Sequence, residues 1–109
     1  MEILGSRRFG LSSEKVCQSE IEACLRANGV PYQREARLSD ADIVDFVVGT
    51  TAIEVKLRGA RRRIFSQLQR YAAHERIDSL LLVTNVPMGL PKEINGKPTH
   101  VLNLARAWL

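Results

Sequence analysis

The stretch DIVDFVVGTTAIEVKL, Asp42 to Leu57, decides how this chain folds. Two runs rich in β-branched and aromatic residues flank Gly49-Thr50, the pattern of two strands around a tight turn. A two-residue loop with glycine first is a favoured hairpin connection, of type II′. Closing the loop there pairs Val48 with Thr51, and counting outward sets Asp45 opposite Glu54. Alternation along each strand then sends Asp45, Glu54 and Lys56 to one face. Carboxylates directly opposite each other repel and destabilise a sheet. A divalent cation with a neighbouring ammonium group is the economical compensation. A half-exposed ribbon with polar residues facing water is the plainer alternative. Against it, Ile43, Val44, Phe46, Val47 and Val48, with Ala52, Ile53 and Val55, make both strands too apolar for a solvent-facing edge.

Upstream, Ser12 or Ser13 offers an N-cap for a helix running to about Asn28, stopped by Gly29 with Pro31 beyond. Its apolar stripe is Cys17, Ile21, Cys24 and Leu25. Glu14 is the acid of this helix that leans toward the stripe. It serves equally well as a first-turn acid that favours the helix dipole. Residues 1–11, with Arg7 and Arg8, read as a basic N-terminal arm. Tyr32–Leu38 is a predicted strand with Arg34 and Glu35 partly exposed.

Downstream, the spacing predicts a helix from about Ala60 to Arg76 with a buried stripe of Ile64, Leu68, Tyr71 and Ala72, and Gln67 at its edge. Between Leu57 and Arg76 lie Arg58, Arg61, Arg62, Arg63, Arg70 and Arg76 against the single acid Glu75. Cations crowded at a helix N-terminus oppose its dipole, so a polyanion partner explains them better than solvent does. SLLLVT, Ser79–Thr84, is a strand buried on both faces. A loop rich in proline and glycine leads to a last strand, THVLNL, and ARAWL reads as a final helical turn. The predicted order is α-β-β-β-α-β-β, an α/β fold with helices over a mixed central sheet.

The 109 residues suit one domain, with 45% hydrophobic and 26% charged residues. The net charge of +4 decides nothing alone. No apolar run approaches the ~20 residues of a membrane span, and the first residues lack a signal peptide's apolar core. The expectation is a cytoplasmic protein with no membrane partner. Cys17 and Cys24 stand roughly 10 Å apart along one helix, too far for a disulfide, and match no zinc spacing. His74 and His100 have no partner at ligand spacing and read as surface or satisfied histidines.

V-D-F-V-V followed by I-E-V-K resembles the PD-(D/E)xK nuclease superfamily, with Asp45, Glu54 and Lys56 on the motif. QLQRY, carrying Gln67 and Tyr71, is similar to the Q-x-x-x-Y element of its RecB-like members. Glu14 sits where many members carry a glutamate on the first helix. Val44 stands in place of the motif's proline, but the carboxylate carries the chemistry. The small size and the arginines are similar to stand-alone VRR-NUC domains and Holliday-junction resolvases. The resemblance implies a restriction-endonuclease-like αβββαβ core over the single domain 1–109. It implies hydrolysis of DNA phosphodiesters assisted by Mg²⁺ or Mn²⁺, which Asp45, Glu54, the carbonyl of Val55 and Glu14 would ligate. Lys56 would orient the attacking water and Gln67 would assist. Arg58, Arg61, Arg62, Arg63, Arg70 and Tyr71 are the candidate nucleic-acid contacts. Branched or junction DNA and a homodimer are the expected substrate and assembly. A catalytically silent DNA-binding module of the same fold and a protein-interaction domain are the competing readings.

Overall fold

In the computed structural model, which describes residues 13–104, the chain runs helix, three strands, helix, three strands. Helix α1 spans Glu14–Ala27, strands β1, β2 and β3 span Gln33–Arg37, Ile43–Val48 and Thr51–Lys56, and helix α2 spans Arg61–Ala72. Strands β4, β5 and β6 follow at Ser79–Thr84, Glu93–Ile94 and Lys97–Asn103. They form one mixed sheet in the order β1-β2-β3-β4-β6-β5. The first three strands and the β5–β6 edge are antiparallel, while β3, β4 and β6 run parallel. The arm expected over 1–11 and the final turn expected over 105–109 lie outside the described residues. Among the described residues no helix is long and apolar enough to cross a membrane.

Each helix closes one face of the sheet. Cys17, Ile21, Cys24 and Leu25 of α1, the stripe expected from the sequence, pack on Phe46, Ile53, Val55, Leu81 and Val83. Ile64, Leu68, Tyr71 and Ala72 of α2 pack on Val44, Ala52, Leu80 and Leu82. β4 therefore shows apolar side chains to both helices, as its unbroken run SLLLVT requires. Ser13 caps α1 through its hydroxyl, which accepts from the Val16 N–H at 3.0 Å. Gly49 adopts φ +62° and Thr50 stays negative, the φ pattern of the expected II′ turn.

Two elements differ from expectation. The segment read as a loop before the last strand contains β5, closed on β6 by Asn95-Gly96 with φ +53° and +76°. Positive φ at both positions is the type I′ hairpin that Asn-Gly favours. Helix α2 ends at Ala72 rather than near Arg76. Its last turn tightens as the Ala73 and His74 N–H groups reach the carbonyls of Arg70 and Tyr71. The β5–β6 hairpin then ties this end down: Asn95 Nδ2 donates to Ala72 O at 3.2 Å, and Lys97 Nζ donates at 2.7 Å to the His74 carbonyl just past the helix, which also accepts the Ile77 N–H.

The same helix end is tied to the start of the organising hairpin. Asp42, 7% exposed, accepts from Arg70 Nε at 3.0 Å, and His74 Nε2 lies 3.0 Å from its other oxygen. These contacts, His74 first and Arg70 second, hold the Asp42 carboxyl below its usual range. Its stabilising effect is present above the unfolded-state pKa of about 3.9 and disappears as pH falls from there through the depressed folded value. Asp42→Asn should cost about 1–2 kcal/mol at neutral pH, the scale of a charge-assisted hydrogen bond. It should also flatten the acid limb of a melting-temperature profile below about pH 4. A variant with the parent's acid limb would count against this role.

Candidate functional site

The hairpin that brings Asp45 and Glu54 together stops being a regular ladder where they meet. Backbone pairing between β2 and β3 runs Val48↔Thr51, Val47↔Ala52, Phe46↔Ile53, and ends there. One step on, side chains replace it: the Asp45 N–H donates to Glu54 Oε1 at 3.1 Å, and the Val55 N–H donates to Asp45 Oδ2 at 2.8 Å. The cause lies partly in β1. Glu35, across from Asp45, takes φ +51°, a left-handed conformation rare outside glycine. On one side of this kink Arg34 and Phe46 face α1, and on the other Ala36 and Val44 face α2. The alternation thus resets at position 45. Glu54 and Lys56 share the α2 face as expected, whereas Asp45 turns its carboxylate into the gap between the strands.

Glu54 is 3% exposed. Its Oε2 lies 3.4 Å from Lys56 Nζ and 3.3 Å from the Tyr71 hydroxyl. The Ile43 carbonyl, at 3.0 Å, competes with Glu54 for that hydroxyl's one proton, and Gln67 Nε2 donates to the hydroxyl oxygen at 2.6 Å. Asp45, Glu54, Lys56, Gln67 and Tyr71, separate in sequence, therefore form one network. Among the described residues Lys56 is the cation paired with this site, where Glu54 is buried and Asp45 half-buried. Burial first and the Asp45 charge second push the Glu54 carboxyl up to about 7. Burial is also the main cause raising Asp45, opposed by the Val55 N–H. The Tyr71 phenol rises too, from burial and the Glu54 charge.

The sequence-predicted residues are not all gathered. Glu14, half-buried at the first position of α1, does not join the pair, and no three His, Cys, Asp or Glu among the described residues group as a metal site. Its field reaches the buried Cys17 thiol, pushed up to about 12 by burial, then by Glu20, Asp45 and Glu14. Tyr71 is 1% exposed and offers no surface to a nucleic acid, which corrects that assignment: it belongs to the wall of the site. Arg70 is half-committed to Asp42. Arg58, Arg61, Arg62 and Arg63 are exposed and have no acidic partner among the described residues. Helix α2 begins beside them with no side-chain cap and no acid in its first turn. A cavity of about 320 Å³ joins this end to the network, lined by Lys56, Arg58, Gly59, Arg63 and Gln67.

One positioning residue was not apparent from the sequence. Thr84, fully buried at the end of β4, donates its hydroxyl to the Lys56 carbonyl at 2.5 Å and accepts from the Val86 N–H at 2.9 Å. A threonine ending an apolar strand carries no signal of that contact until β3 and β4 are known to be parallel neighbours. Comparison of the chain with family models, with curated proteins and with solved structures finds no match in any of the three.

The raised Glu54 pKa means that the fold favours the protonated acid. Its stabilising effect is complete below the unfolded value near 4.5 and is lost as pH rises through about 7. Glu54→Gln should remove this loss and leave the variant more stable than the parent at pH 8, by an amount on the order of 1–3 kcal/mol. Thermal melts from pH 4.5 to 8 check it, and a parent profile flat across that range would reject it.

Proposed function

We propose that this chain is a metal-dependent endonuclease that hydrolyses DNA phosphodiester bonds, selective for branched or junction DNA and acting as a homodimer. The observation that carries the reading is half-buried Asp45 joined to buried Glu54, with Lys56 paired to Glu54, beside a cavity lined by Arg58 and Arg63. Two carboxylates brought together, both with raised pKa values, suit a hard divalent ion. Mg²⁺ is commonly held by one or two carboxylates together with substrate phosphates, so the pair fits without a third acid. Asp45 and Glu54, with the carbonyl of Val55, would hold Mg²⁺ or Mn²⁺. When bound, the ion supplies Lewis acidity toward water and the phosphoryl oxygens.

The chain's own groups supply the rest. Lys56 sets its side-chain nitrogen beside Glu54, where negative charge develops on the phosphoryl group. Gln67, its amide nitrogen engaged on Tyr71, leaves its amide oxygen free to orient a water proton. Tyr71 holds both Gln67 and Glu54 in place from within the core. Arg58, Arg61, Arg62 and Arg63 bind backbone phosphates without reading sequence. The reading implies a homodimer, because a four-way junction needs two cuts and hence two sites.

The test is cleavage of labelled four-way junction, flap, nicked and linear duplex DNA with Mg²⁺ or Mn²⁺. Cutting should need the ion and disappear in Glu54→Ala and Lys56→Ala. Independently of cleavage, Mg²⁺ should raise the melting temperature of the parent at pH 8 and leave Glu54→Ala unchanged. Junction binding without any cutting would replace the reading with a silent DNA-binding module, and neither binding nor cutting would reject both.

A further inference from the structure

Helix α2 has two flanks, and the proposed active site uses only one. At about 100° per residue, Arg63 and Gln67 lie to one side of the buried stripe Ile64, Leu68 and Ala72, while Arg61, Phe65 and Gln69 lie to the other. On that second flank a cavity of about 530 Å³ opens between α2 and the loop before β5, lined by Arg61, Arg62, Phe65, Gln69, Met88 and Gly89. Its size is that of a small-molecule site. Phe65 and Met88 are anchored on the core beneath and only half-buried, so each leaves part of its surface to the cavity. Gly89 forms the rim, with nothing within 4 Å of where a Cβ would stand.

The lining chemistry is specific in combination. Phe65 offers an aromatic face and Met88 a polarizable thioether, both suited to a flat π-system. Gln69, exposed, offers an amide donor and acceptor at the rim. Arg61 and Arg62 have no acidic partner among the described residues, and the helix end they occupy has no first-turn acid. An aromatic, hydrogen-bonding and anionic occupant is a nucleobase with its flanking phosphates. A base inside a duplex cannot reach such a cavity edge-on, so the nucleotide must be unpaired.

We propose that this cavity is a subsite for an unpaired nucleotide of the substrate strand, its base stacked on Phe65 and its phosphates on Arg61 and Arg62. The proposal rests on the nucleic-acid reading above and narrows it to substrates with a single-stranded stretch beside the cut. The two cavities are separated by the N-terminal turn of α2, about 10–12 Å across, so a strand crossing that turn meets Arg63, Arg62 and Arg61 in passing. The turn's arginines then serve as a bridge between cleavage site and subsite.

The experiment uses the full chain in EDTA, so that binding is read without cleavage. A blunt duplex and the same duplex with a short single-stranded tail carrying 2-aminopurine are titrated, following affinity and 2-aminopurine fluorescence. The tail should tighten binding on the order of 5- to 150-fold, the range of one base stacked on an aromatic residue, and its fluorescence should be quenched. Phe65→Leu should abolish the quench and collapse the difference between tailed and blunt DNA. Ser66→Glu, at an exposed helix position lining the same cavity, should do so by repulsion even if Phe65→Leu fails to fold. Equal affinity for tailed and blunt DNA, or a tail advantage that Ser66→Glu leaves intact, overturns the subsite alone. Binding to neither DNA overturns the nucleic-acid reading with it.

Discussion

Two acids placed side by side in an apolar sheet are the constraint around which the rest of the molecule is arranged. A regular hairpin would bury Asp45 and Glu54 with nothing to offset their charge. Instead the ladder opens after Phe46–Ile53, and the acids themselves accept the N–H groups it releases. The left-handed Glu35 on the neighbouring strand lets both strands change face at the same point. Lys56 of β3, Gln67 and Tyr71 of α2, and Thr84 of β4 then close around the break. Stability is lower for it at neutral pH, because burial and the Asp45 charge hold the Glu54 carboxyl up.

Helix α2 does more than cover the sheet. Its buried stripe carries Tyr71 into the acid network, and its far end is fastened by Asp42, Asn95 and Lys97. Its near end is left uncapped and crowded with arginines. The helix is thus tied down at one terminus and positively charged at the other.

Most of the architecture could be read from short-range patterns. The α1 stripe, the II′ turn and the doubly buried SLLLVT depend on residues within a few positions of each other, where periodicity and turn chemistry are informative. The pairing of Asp45 with Glu54 followed from the turn alone. Less legible was whatever a strand's neighbours impose. Alternation put Asp45 on the same face as Glu54, but the kink shared with Glu35 redirected it. Thr84 acquires its role from parallel pairing with β3. Asp42 and His74, 32 residues apart, show no relation until α2 folds back over the hairpin. Tyr71 was assigned both to the core and to the nucleic-acid surface, and its 1% exposure leaves only the first. The Asn-Gly turn was in plain view yet hidden among prolines and glycines that also signal an open loop.

The fastening of α2 by the β5–β6 hairpin bears on the order in which the protein assembles. β1, β2 and β3 join through short connections, so the acids can meet early in folding. The side-chain ties at the end of α2 must wait for Asn95 and Lys97, each 23 residues further along the chain from its acceptor. Until then the β4 strand SLLLVT lacks β6 on its open edge, and an unpaired apolar edge is prone to self-association. A segment synthesised later is thus the one that makes the earlier ones safe.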